Sequence, residues 1–225
     1  ANLRYDGTSK FPTDLKWRWF PSFSAGWRVS EEAWMEWSKP FLASLKFRGS
    51  WGRIGDQTVE NTLYRSLMES GQGSWLDESG KKLTYVGIPS SVLASITWQD
   101  IESLNLGFDA SLIEGKLDVM FDWYRRDTKN TIVPMEGVPA TFGSKAPLGN
   151  FGNLRTYGWE LSVNYRHQFK NGLGVNAMVT LSDALTEITQ YGSSRSIEAN
   201  YNGKTYGEIW GYRTDRLYQK DDFVY

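Results

Sequence analysis

Cysteine is absent from this chain of 225 residues, and histidine occurs once, as His167. No disulfide can form, and a transition-metal site of the usual kind lacks its ligands, although a missing cysteine does not fix the compartment. A charge bias is also lacking: 25 Lys and Arg stand against 26 Asp and Glu, for a formal net charge of −1. With no basic stripe, the chain has no electrostatic footprint for nucleic acid. Nowhere do 18 apolar residues run together, which excludes a transmembrane helix but not a membrane strand, whose signal is alternation. The opening ANLRYDGTSK has no signal-peptide architecture, so the expectation is a chain that is not exported or a processed or truncated piece.

What is abundant is aromatic. There are 11 Trp, 12 Tyr and 11 Phe in a chain whose mean hydropathy is −0.49. In KLDVMFDWYRRD (116–127), Leu117, Val119, Phe121 and Trp123 alternate with Asp118, Met120, Asp122 and Tyr124. That is a strand with one apolar and one polar face. Five more segments repeat the pattern: 21–30, 44–53, 103–112, 160–169 and 173–182. Alternation alone leaves two homes for the apolar face, a soluble β-sandwich core or lipid.

The connections discriminate. IEGK (113–116) and KNG (170–172) are short hairpin turns, and in 30–41 Ser30 is placed to cap one helical turn, with Glu31 and Glu32 in its first positions and Pro40 at its end. Between these lie long links at 54–98, 132–155 and from 190 onward. Short and long connections therefore alternate. A compact soluble domain seldom carries links beyond about 12–15 residues without structure of their own. An outer-membrane barrel has short periplasmic turns and long extracellular loops. About nine alternating residues make roughly 30 Å of strand, or roughly 21 Å of height at a tilt of about 45°, close to the ~25 Å apolar band of such barrels. After Trp123 the apolar phase continues as Arg125 and Asp127, as in a strand leaving lipid for water. Aromatics near strand ends (Trp17, Trp19, Phe20, Trp34, Trp37, Phe41, Trp98, Tyr157, Trp159) match interfacial girdles. The membrane anchors expected are Trp17, Trp19, Trp34, Trp37, Trp98, Trp123 and Trp159.

Three local motifs carry a resemblance. LRYDGTSKF (3–11), FPSFSAGWRVSEE (20–32) and LKFRGSWGRIGDQ (45–57) resemble the barrel signatures of SusC/RagA-type TonB-linked outer-membrane proteins. DWYRRDTKNTI (122–132), NFGNLRTYGWELSVNYR (150–166) and EIWGYRTDRLYQKDD (208–222) follow in the family's order; Asp56 replaces its usual Asn and Arg216 its usual Gly. The resemblance implies an all-β fold, an antiparallel transmembrane β-barrel of the 22-stranded, plugged kind. It also implies import of oligosaccharides or peptides across the outer membrane of a Gram-negative bacterium, energy from the TonB system through a missing N-terminal region, and a SusD-like surface lipoprotein as lid. The chain would supply about seven or eight barrel strands, with plug and C-terminal strands absent. Strands at 20–29, 98–112 and 155–169 should descend to the periplasm; those at 42–54, 117–131 and 173–189 should ascend.

No catalytic constellation emerges, so no enzyme is expected, and no cofactor or metal. Asp109, Asp118, Asp122 and Glu160 on polar strand faces invite comparison with a glycosidase carboxylate pair. Lys46, Arg48, Arg126 and Arg166 share those faces, and ion pairing is the simpler account. His167 falls in the outward phase near a short turn, as an interfacial residue would. DESGKK (77–82) reads as a solvated loop tip rather than a calcium site. For ligand stacking, the candidates are the loop aromatics Trp75, Tyr85, Phe142, Tyr191 and Tyr201. The rival readings are a TonB-dependent receptor for a siderophore or vitamin and a soluble carbohydrate-binding β-sandwich.

Overall fold

A computed structural model describes residues 1–60, 63–192, 200–217 and 219–222. Its main body is one seven-stranded antiparallel sheet. β1 (Asn2–Gly7), β2 (Trp17–Arg28) and β3 (Leu42–Asp56) come first in the order, and β4 (Ser70–Leu76) pairs only with β5 (Lys82–Val86) in a separate hairpin. β6 (Gln99–Leu112), β7 (Leu117–Pro134), β8 (Leu148–Gln168) and β9 (Gly174–Gln190) complete the sheet, in the spatial order β1-β2-β3-β6-β7-β8-β9. Each strand of the sheet therefore lies beside its predecessor, except that the β4–β5 hairpin is set aside between β3 and β6.

The turn chemistry explains the pairing. Lys116 N–H closes on Ile113 O at 3.0 Å, with Glu114 and Gly115 at φ +54° and +80°. That is the mirror-image turn whose twist matches right-twisted strands, and it sets Leu112 opposite Leu117. At the β8–β9 turn, Gly172 at φ +88° donates to Phe169 O, and Gly occupies the one position that a side chain would strain.

The register gathers the large apolar residues onto one face. Trp27, Phe47, Phe108, Phe121, Leu161 and Leu181 stand side by side across β2, β3, β6, β7, β8 and β9. Among the described residues nothing covers this row: Trp27 is 53%, Phe47 45% and Leu181 52% exposed. A contiguous apolar sheet face of this extent cannot rest in water. The core lies instead in two small clusters at opposite ends. Val29, Met35 and Leu42 pack at the short-turn end, and Phe11, Phe20, Ile96 and Trp98 under the first long link.

Several expectations need correcting. The 30–41 link forms two 3-10 turns, Val29–Glu31 and Ala33–Ser38, separated by Glu32 in extended conformation. Ser30 sits inside the first and caps nothing; its buried Oγ has no partner. β1 was not anticipated, because its six residues NLRYDG alternate weakly. β7 and β8 continue to Pro134 and from Leu148, so the second long link shrinks to 135–147. The first holds the β4–β5 hairpin. Within the third, 193–199 lie outside the described residues.

The inferred direction of the strands is testable by trypsin shaving of intact cells. Arg65, Lys81 and Lys82 in the first long link should be cut, while Lys116 and Lys170 at the short turns should be spared. Cleavage confined to Lys116 and Lys170 would invert the topology.

Candidate functional site

The face opposite the apolar one is built around a single register row. Gly26, Arg48, Gly107, Asp122, Glu160 and Ser182 stand opposite one another across six strands. Arg48 donates to Asp109 Oδ1 at 2.8 Å and to Asp122 Oδ2 at 2.9 Å. The second bond spans β6 entirely, and Gly107 is the residue it passes over. A Cβ there would collide with the Asp122 carboxylate and approach Phe121 O to 2.7 Å. Glycine at 107 therefore opens the gap through which β3 and β7 join. Beside this pair lies a shallow cavity of ≈ 320 Å³ lined by Ser24, Lys46, Arg48, Ser50, Asn105 and Asp122. Asp118 pairs with Arg166 lower on the same face. The ion-pair expectation thus holds for Arg48 and Arg166. It fails for Lys46, Arg126 and Glu160, which form no ion pair among the described residues, and Glu160 instead stands opposite the like-charged Asp122.

The apolar face carries its own charges beyond the aromatic rows. Trp123 and Trp159 are register partners; farther along the same phase, Arg53, Glu102, Asp127, Arg155 and Glu187 stand in one row. Glu102 takes Arg53 at 2.7 Å and Lys129 at 2.6 Å, and Asp127 takes Arg125 at 2.8 Å and Arg155 at 2.7 Å. Past that row the 57–98 link folds back. Phe20 and Trp98 close over Gly55, where a Cβ would meet Trp98 Cε3 at 2.6 Å.

Trp98 is accordingly not a membrane anchor. It is 3% exposed, packs edge-on against Phe20 and donates its Nε1–H to Lys16 O at 3.1 Å. The other expected anchors are placed as follows. Trp34 and Trp37 are 58% and 69% exposed in the 30–41 link; Trp34 lies next to Trp27, whose Nε1–H is held by Glu32 at 2.8 Å, and Trp37 lies next to Phe41. Trp17 and Trp19 are exposed and stack on Tyr5. His167 is sandwiched between Tyr165 and Phe169, and its buried Nδ1 has no partner.

The five ligand-stacking candidates are not brought together, as no ring contact joins any two of them among the described residues. Trp75 on β4 is 81% exposed, and the Tyr85 ring of β5 lies across Gly71. Phe142 ends the 3-10 turn Ala140–Phe142, and Tyr191 is held by its backbone N–H on Asn202. Tyr201 donates its hydroxyl to Glu208, with Lys204 over its ring at 5.6 Å. That bond raises the Tyr201 pKa, while the Glu208 carboxyl is lowered, chiefly by the Trp210 indole N–H and also by Tyr201. At the hairpin tip, Asp77 accepts from Ser79 Oγ, Ser79 N and Lys81 N, and its pKa is lowered, first by the Ser79 hydroxyl. A carboxylate occupied in this way makes a self-contained turn. No group of His, Cys, Asp and Glu among the described residues could hold a metal ion.

A sheet that is bare and apolar on one face, charged on the other and long-linked at one end is a piece of outer-membrane barrel wall. The chain belongs to the family described as TonB dependent receptor-like, beta-barrel, whose profile matches residues 1–221. It is 28% identical over 189 residues to the TonB-dependent receptor P26 of Formosa agariphila, covering 84% of this chain and 19% of that protein. It is 27% identical over 163 residues to the TonB-dependent receptor SusC of Bacteroides thetaiotaomicron, covering 72% of this chain and 16% of SusC. Among solved structures, the RagAB peptide importer in its closed-closed state superposes with a TM-score of 0.70 at 20% identity, over 85% of this chain and 20% of that one. The chain thus spans about a fifth of these relatives' length. The outer membrane is its location, and the family is one of receptors rather than enzymes.

Proposed function

We propose that the chain forms part of the wall of a SusC-like transporter that imports oligosaccharides or peptides across the outer membrane. The observation that carries the reading is the pairing of a lipid-type face with a charged inner face on one register-locked sheet, in a chain similar to SusC and RagA. Both edge strands, β1 and β9, need neighbours, because unpaired backbone groups are untenable in hydrocarbon. The remaining strands and a plug would lie in parts of the protein outside this sequence. Energy would come from the TonB system through such a part, and a SusD-like surface lipoprotein would cover the long links. The wall has a mechanical role and performs no catalysis. Stacking of ligand on Trp75, Tyr85, Phe142, Tyr191 or Tyr201 belongs to the same proposal.

The test is a deletion of the full-length gene, followed by uptake of labelled oligosaccharides, peptides, iron chelates and vitamins. Loss of one oligosaccharide or peptide class, with monomer uptake intact, is the expected result. Loss restricted to a chelate or vitamin would replace this reading with the receptor alternative.

A further inference from the structure

Two features of the apolar face are unused by import. One is the double ion-pair row, which lies on the side of the sheet that faces the bilayer. The other is a dent of ≈ 610 Å³ in the apolar rows below it, floored by Ala25 and Gly49 and walled by Trp27, Phe47, Leu106 and Phe121. The dent exists because small residues stand opposite each other on β2 and β3, in the register pair Ala25–Gly49, while their neighbours are rings.

The row sits at headgroup height. Glu102 lies two residues before Leu104 on β6, about 7 Å along the strand and roughly 5 Å in height at the usual tilt. Its charge is not balanced by its own members. Arg53, Arg125, Lys129 and Arg155 face Glu102, Asp127 and Glu187, four cations against three carboxylates, and Glu187 makes no ion pair among the described residues. Each of the other two carboxylates holds two cations at once, which fixes their side chains and leaves donors to spare. Arg125 and Arg155 bind Asp127 through Nε, so their terminal nitrogens remain available. Their side chains are 42% and 40% exposed, and that of Lys129 is 47% exposed. Planar guanidinium groups held at one height are suited to phosphate oxygens. Trp123 lines the dent and Arg125 is the next residue of the same phase on β7, so the two features adjoin there.

We propose that this face binds an outer-leaflet phosphoglycolipid, with phosphates on Arg53, Lys129, Arg125 and Arg155 and an acyl chain in the dent over Gly49. The occupant follows from charge complementarity and from continuity with the lipid-facing surface. The inference rests on the outer-membrane placement of the sheet; it does not depend on what is imported.

The full-length protein, delipidated in detergent, would be titrated with purified bis-phosphorylated lipid A, its dephosphorylated form, and phosphatidylglycerol. Lipid A should bind well above the other two. An R125Q/K129Q/R155Q variant should lose on the order of tenfold or more, since each basic residue near an anionic headgroup contributes measurably. Gly49→Phe fills the dent without touching a charge and should weaken lipid A binding several-fold, providing an independent arm if the triple variant does not fold. Equal binding by wild type and a folded variant, or equal binding of dephosphorylated lipid A or phosphatidylglycerol, would overturn the proposal. Membrane fractionation separates the two levels: absence from the outer membrane removes the underlying placement, whereas correct placement with indifferent binding removes only the lipid site.

Discussion

Arginine at Phe121 should destabilise the folded protein by about 2–4 kcal/mol, the usual effect of a basic residue on the lipid face near the bilayer midplane. Arginine at Met120, one residue away, should cost less than about 1 kcal/mol. The contrast follows from the register. Phe121 stands between Phe108 and Leu161 in the middle of the apolar face, where an ammonium or guanidinium group meets only hydrocarbon. Met120 is on the charged face, 48% exposed, opposite Asp109 and Ser162. There an added arginine finds water and a carboxylate. Urea unfolding of the full-length protein in vesicles measures both variants. Similar losses for the two, or a larger loss at Met120, would mean the faces have been assigned the wrong way round.

Gly107→Ala is the second change with a large expected effect, about 1–3 kcal/mol. The new methyl has nowhere to go, because one of its neighbours is the backbone carbonyl of Phe121, 2.7 Å away, which a side-chain rotation cannot relieve. It also enters the space between Arg48 and Asp122. Gly49→Ala is the matched control on the other face. Its methyl would meet Leu106 Cδ2 at 3.5 Å, an ordinary contact, and should be neutral within about 0.5 kcal/mol. A double-mutant cycle sharpens the point. Asp122→Asn should cost less in the Gly107→Ala background than in wild type, because the Arg48 bond is already broken there. Additive losses would show that Gly107 does not serve that ion pair.

The strand cores were legible because lipid on one side and water on the other impose period-two alternation. The run Leu117–Trp123 and its partners Leu104–Leu112 and Leu161–Tyr165 carry that signal fully. It fades where both faces meet water or protein. β7 past Thr131 and β8 before Arg155 therefore read as link, and β1 did not register as a strand. Trp98 was misplaced for a related reason: an indole at a strand end has the same letter whether it meets headgroups or the Phe20 ring. The glycines were the least legible. Gly107 looks like a weak point in a strand until Arg48 and Asp122 are placed on either side of it. Those two residues are far apart in sequence, and only the pairing of β3 with β6 and β6 with β7 joins them. Among the loop aromatics, residue type was readable, but their mutual separation was not.

β3 and β6 pair continuously from Ser44–Ser111 to Asp56–Gln99, although residues 57–98 intervene. The hairpin of β4 and β5 stands on that intervening segment without contributing a strand to the sheet. Closing a longer link costs little, roughly 0.6 kcal/mol for each doubling of its length. Selection can therefore lengthen, shorten or rewrite the exposed segment while the register beneath it stays constant. A wall of this kind separates heredity of shape from heredity of taste: a lineage can change what its outer surface captures without relearning how to assemble in the membrane.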